Sequence, residues 1–132
     1  MKNLASHCGS VAIIGRPNVG KSTLLNKILG EKLTITSSKP QTTRHQILGI
    51  KTDTQTQSIY IDTPGIHQNT QRRLSRAMVR SAINALIDVD IIGFVVEANR
   101  WTAEEDAILE RLKQQQQPVI LIVNKIDKIK NL

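Results

Sequence analysis

Aromatic residues are almost missing: the 132 residues hold one Trp, one Tyr and one Phe. A core must then come from Ile, Leu, Val and Ala, which suits layered helices and sheet better than an all-β fold. No aromatics are interleaved among the basic residues, so no stacking platform for single-stranded nucleic acid is indicated. Cysteine is equally scarce. Cys8 is the only one, which excludes an intrachain disulfide, makes a reducing compartment the simpler expectation and leaves Cys8 as a small, partly exposed thiol. No apolar run approaches the ~18 residues of a membrane-spanning helix, and Met1 to Ser10 lacks the apolar stretch of a secretory signal. The expectation is a soluble, cytoplasmic protein.

Acidic residues are in the minority, 11 against 18 Lys plus Arg, for a formal charge of +7. That excess suits a phosphate-bearing ligand or nucleic acid and does not choose between them. The basic residues are spread along the chain and cluster only at Arg72, Arg73, Arg76 and Arg80, which read as a solvated helix face. His7, His45 and His67 have no metal-ligand spacing, no Ser, His, Asp arrangement is indicated, and Trp101 reads as a packing residue near a helix start.

With 39% hydrophobic residues the chain is long enough for one compact domain. Short apolar runs alternate with helical patterns, the pattern of an α/β sheet with crossover helices. Ser10 to Ile14 is a strand, and Lys21 to Leu29 a helix with Leu24, Leu25, Ile28 and Leu29 on one side and Gly30 to end it. Glu31 to His45 is a long polar loop, a length that points to function or disorder. Gln46 to Lys51 and Ser58 to Ile61 form a hairpin. Arg72 to Val89 is an amphipathic helix with Leu74, Met78, Ala82, Leu86 and Val89 inward. Ile91 to Val96 reads as a strand buried on both faces. Thr102 to Glu105 is a capping box for a helix that turns Ala107, Ile108, Leu109 and Leu112 inward. Val119 to Val123 is the last strand.

Gly15-Arg16-Pro17-Asn18-Val19-Gly20-Lys21-Ser22 fits G-x-x-x-x-G-K-[ST] between a strand and a helix, the context that a phosphate-binding loop requires. Its glycines let backbone N–H groups converge on phosphate oxygens at a helix N-terminus. Lys21 is then placed for the β and γ phosphates and Ser22 for magnesium, with Thr23 beside them. Asp62-Thr63-Pro64-Gly65 follows a strand, where a carboxylate can hold magnesium through water; alone, the tetrapeptide is equally a turn. Asn124-Lys125-Ile126-Asp127 follows the last strand at the same edge of the sheet. The Asp127 carboxylate matches the N1–H and 2-amino donors of guanine, which adenine lacks.

Together, Gly15 to Ser22, Thr43, Asp62 to Gly65 and Asn124 to Asp127 resemble, in order, the first four of the five signature elements of GTPases. Pro40 to His45 and Asp62 to His67 further resemble the Era family in the TrmE-Era-EngA-like branch of Ras-like P-loop GTPases, with the Der and MnmE families as nearest alternatives.

The resemblance implies a P-loop NTPase fold with a Ras-like three-layer sheet, mostly parallel with one antiparallel strand. It assigns Thr43 to the magnesium shell and Lys21, Thr43 and Gly65 to catalysis. Ile66 stands where Ras-like enzymes carry a water-orienting Gln, and the branch suggests a potassium ion held partly by Asn18 instead. GTP and GDP, magnesium and potassium are the implied ligands. A KH domain that binds 16S rRNA in small-subunit assembly is implied beyond this chain, as are a Ser-Ala loop and the last strand and helices of the nucleotide domain. Residues 1–132 are accordingly expected to be an incomplete GTP-binding domain, cytoplasmic or peripheral on the inner face of the cell membrane. A fragment that binds nucleotide without hydrolysing it is the alternative.

Overall fold

The computed structural model describes residues 6–30, 47–63 and 75–130. Among these, five strands form one sheet: β1 (His7–Gly15), β2 (Ile47–Thr52), β3 (Thr56–Ile61), β4 (Ile91–Glu97) and β5 (Val119–Asn124), in the order β2-β3-β1-β4-β5. β2 runs antiparallel to β3, and every other neighbouring pair is parallel. This is the mostly parallel α/β sheet with a single antiparallel strand expected above.

Side-chain alternation along β1 divides the core in two. Ala12 and Ile14 face helices α2 (Arg76–Asn84) and α3 (Ala103–Leu112), in a cluster with Val79, Ile83, Ile92, Phe94 and Ile108. Ile13 faces the other way, against Val19, Leu25 of helix α1 (Lys21–Leu29) and Val95. β4 sits between β1 and β5, and Ile92 to Val96 are all buried, as its unbroken apolar run anticipates. Phe94 is the largest fully buried side chain, and Trp101 packs edge-on against it with ring centroids 6.0 Å apart.

The helix ends follow local chemistry. Gly30 closes α1 in the left-handed region, at φ 73°, and its N–H donates to the Asn26 carbonyl at 3.0 Å. Ser75 caps α2, its hydroxyl accepting from the Met78 N–H at 3.1 Å. Thr102 and Glu105 form the expected capping box of α3, whose first turn carries Glu104, Glu105 and Asp106 against the positive end of the helix dipole.

α2 departs from its expected pattern in extent. It spans Arg76–Asn84 rather than 72–89, with residues 85–88 in turns and Arg72 to Leu74 outside the described residues. Of the expected inward residues, Ala82, Leu86 and Val89 are buried and Met78 is partly buried against the same cluster, which Val79 and Ile83 join. Arg76 and Arg80 are exposed, as expected of the outer face.

β5 lies at one end of the sheet. Val119, Ile120, Leu121 and Val123 are all exposed, Leu121 by 56%, and of the apolar run only Ile122 is partly buried, against the Ile13 cluster. Every loop that leaves the C-terminal ends of the parallel strands, after β1, β3, β4 and β5, opens on the same edge of this sheet, the edge at which open α/β sheets bind ligands.

A phosphate loop clasped by the loop after β5

The chain leaves β1 at Gly15 and enters α1 at Lys21. Gly15 must be glycine for lack of space: a Cβ there would lie 2.6 Å from the Val95 carbonyl oxygen on the neighbouring strand. Gly20 is held at φ 100°, and a Cβ on it would collide with the side-chain amide of Asn124. Asn18, between them, is also left-handed at φ 68°, a conformation that costs energy in a non-glycine residue and clusters at ligand sites. Val19 anchors the loop by complete burial beneath α1.

The first turn of α1 has no side-chain cap and no acidic residue. α2 and α3 both have a capping side chain, and α3 adds acidic ones. The N-terminus of α1 is therefore the helix end whose N–H groups and positive dipole are left for a ligand anion. Ser22 and Thr23 lie exposed in that first turn.

Lys21 is 8% exposed and folds back over the loop, its ammonium donating to the carbonyl oxygens of Gly15 at 2.8 Å and Arg16 at 2.9 Å. Burial lowers its pKa from 10.5 to about 8; the Asp62 carboxylate works against that shift and the Arg16 guanidinium adds to it. Asp62 follows the end of β3 and is fixed there by Thr63, which is 2% exposed and donates its hydroxyl to the Ile13 carbonyl on β1 at 2.6 Å. Asp62 is thus close enough to Lys21 for its charge to be felt. A hydroxyl at Ser22 and a carboxylate at Asp62 are hard oxygen donors of the kind magnesium takes, whereas no cluster of three or more His, Cys, Asp or Glu occurs among the described residues.

From the far side, the loop after β5 closes on the same turn. The Asn124 amide donates to the Val19 carbonyl at 2.8 Å, and the Lys125 ammonium donates to the Asn18 carbonyl at 2.6 Å. Lys125 is left-handed at φ 60°, which swings the chain into a short 3-10 turn, Ile126–Lys128, and presents Asp127 exposed at the sheet edge. Arg16 points away from that opening. Its Nε donates to Glu105 Oε2 at 2.9 Å and a terminal nitrogen to Glu97 Oε1 at 3.2 Å.

The structure thus brings together Gly15 to Thr23, Asp62, Thr63, Asn124, Lys125 and Asp127 at one edge. Thr43, Pro64, Gly65 and Ile66 lie outside the described residues. Glu97 and Glu105 were not singled out by sequence reasoning as site residues. An acidic residue at the end of β4, opposite an arginine in the phosphate loop, is the signal that would have found Glu97; Glu105 was visible only as a capping residue.

A family model described as 50S ribosome-binding GTPase matches residues 10–125. The chain belongs to the 50S ribosome-binding GTPase family. Within that family it is 60% identical to GTPase Era of Marinobacter nauticus over 128 residues, which cover 97% of this chain and 42% of that protein. It is 59% identical to GTPase Era of Pseudomonas savastanoi over 127 residues, 96% of this chain and 42% of that one. The chain therefore spans about two fifths of the length of these curated relatives. Among solved structures it resembles Era in complex with MgGDPNP and nucleotides 1506–1542 of 16S ribosomal RNA, with a TM-score of 0.71 and 42% identity over 96% of this chain and 43% of that one. It also resembles the G domain of the T. maritima iron transporter FeoB, with a TM-score of 0.66 and 25% identity over 94% of this chain and 78% of that chain. The resemblance to Era read from the motifs is borne out.

The lowered pKa of Lys21 has a measurable consequence. Because the folded value of about 8 lies below the ordinary 10.5, the unfolded chain binds more protons between those two values, and stability rises with pH across that window. Lys21→Met removes the titration. Without nucleotide or magnesium, the melting temperature of the Met variant minus that of the parent should fall steadily from pH 8 to 10.5, and a pH-independent difference would show that Lys21 is not desolvated.

Proposed function

We propose that this chain is the nucleotide-binding part of a GTP-hydrolysing switch protein of the Era type. The observation that carries the reading is the clasp itself: an uncapped helix N-terminus with a buried lysine, held at Val19 and Asn18 by Asn124 and Lys125, three and two residues before a guanine-matching Asp127. Phosphate and base sites are then parts of one rigid surface. In this reading the α1 N-terminus takes the phosphates, and the Lys21 ammonium, already oriented by two carbonyls, turns its remaining N–H to a phosphate oxygen. Ser22 would hold magnesium directly and Asp62 through water, with Thr43 completing the shell. Magnesium would supply positive charge against that developing on the β and γ phosphates. MgGDPNP in the Era structure that this chain resembles supports the assignment.

Base specificity is the first test. GDP should displace a fluorescent guanine nucleotide while ADP does not, because Asp127 faces adenine without the donors it needs. Asp127→Asn should move the preference toward xanthine nucleotides, whose 2-oxo group replaces a donor with an acceptor. Equal displacement by ADP and GDP would end the assignment.

Potassium is part of the proposed chemistry. Ile66 has no hydrogen-bonding group with which to orient water, so a second cation beside the phosphates, held partly by Asn18, would take up charge instead. Single-turnover hydrolysis should run several-fold faster in potassium than in sodium chloride and lose that difference in Asn18→Ala. Equal rates in both salts would remove the role.

We further propose that the parent protein is longer, that an additional strand pairs with the free edge of β5, and that a KH domain carries it to 16S rRNA and the small ribosomal subunit. The relatives' greater length and the exposed apolar run of β5 support this. A chain extended to the relatives' length should melt higher and bind GDP tighter than residues 1–132; unchanged values would contradict it. No helix of the described residues is long and apolar enough to cross a membrane.

A further inference from the structure

Arg16 occupies a variable position of the phosphate loop, where a cation invites assignment to the phosphates. Its side chain is instead 8% exposed and turned into the protein, onto the fully buried Glu105 of α3 and onto Glu97 at the end of β4. Glu105 is itself immobilised, since its other oxygen accepts from the Thr102 N–H at 2.6 Å and hydroxyl at 2.7 Å. Glu97 is the more telling partner. The same oxygen, Oε1, that meets Arg16 at 3.2 Å also meets the Lys125 ammonium at 3.1 Å. Lys125 donates in turn to the carbonyl of Asn18, two residues beyond Arg16. The path Arg16 side chain, Glu97, Lys125, Asn18 backbone thus starts and ends in the phosphate loop and passes through the loop that presents Asp127.

We propose that Arg16 is a positioning residue for base recognition: through the shared Glu97 oxygen it sets the place of Lys125, and with it the loop carrying Asp127, rather than contacting phosphate. The inference rests on the guanine-nucleotide reading above and deepens it. An arginine is needed because its planar fork offers separate N–H groups to two carboxylates at once, which a lysine ammonium on a flexible stem cannot match.

The roles separate in the ratio of ADP to GDP dissociation constants. A phosphate ligand, or a residue that only supports the fold, contributes equally to both nucleotides, so its loss weakens both and leaves the ratio unchanged. A residue that positions the base loop contributes to GDP alone. Arg16→Gln should therefore lower the ratio at least about fivefold, the scale of coupling between communicating sites, and Arg16→Lys should recover only part of it. Arg16→Gln also leaves the buried Glu105 carboxylate without its cation, which risks unfolding. Glu97→Gln, which keeps the Arg16 to Glu105 pair, should lower the ratio by a similar factor. The double variant Arg16→Gln, Glu97→Gln should be little worse than either single one, because both break the same path. An unchanged ratio in Arg16→Gln or Glu97→Gln, or a ratio in the double variant equal to the product of the single effects, would overturn the proposal. Should the parent itself fail to prefer GDP, the guanine reading falls. The positioning role is then decided by nucleotide-free melts of Arg16→Gln, Lys125→Gln and their combination: a combined loss smaller than the sum supports it, and simple additivity refutes it.

Discussion

A helix end with no capping side chain and no acidic residue in its first turn, beside a buried lysine, governs this molecule. The first turn of α1 has no side-chain cap, and Lys21 is pressed onto the same loop at the cost of much of its hydration. A protein seeking only stability would place Asp, Ser or Thr at that helix end, as this chain does at Ser75 and Thr102. Glycine stands there instead, in the left-handed region at φ 100°, with the Asn124 amide packed where a Cβ would lie. Asp62 offsets part of the Lys21 charge, and a phosphate group would provide further negative charge and several acceptor oxygens at the helix end.

The remaining cations are kept out of competition with Lys21. Arg16 is consumed by Glu97 and Glu105, and Lys125 by Glu97 and a backbone carbonyl. Burial raises the proton affinity of Glu97, but the Lys125 hydrogen bond and the charges of Lys125 and Arg16 outweigh it, holding the carboxyl below the usual range. The carboxylate therefore stays ionised, and its contribution persists until the pH falls through that lowered value. One charged oxygen thereby pairs with a cation from each of two loops, with the sheet edge as the scaffold on which both are set.

Much of this architecture was legible in the residues. The strand from Ser10 to Ile14, the phosphate loop and the helix Lys21 to Leu29 follow from an apolar run, the G-x-x-x-x-G-K-[ST] spacing and an apolar side on α1, although β1 starts earlier, at His7. The capping box at Thr102 was read correctly because it depends on residues three apart in sequence. Misjudged features depend on long-range packing. The stripe through Met78, Ala82, Leu86 and Val89 meets the core as read, but Val79 and Ile83 are buried beside it, a second row that counting every third or fourth residue did not include. The ionic path through Glu97 joins residues 81 and 28 positions apart in sequence, and no local spacing encodes a contact between the ends of β1, β4 and β5. That contact exists only once the parallel strands place those ends side by side.

The most direct measurement is a crystal structure of this chain with magnesium and GDP. The account places the β-phosphate at the α1 N-terminus within hydrogen-bond reach of Lys21, guanine against Asp127, and Arg16 still paired with Glu97 and Glu105. Guanine bound away from Asp127, or an Arg16 side chain swung out onto the phosphates, would contradict it.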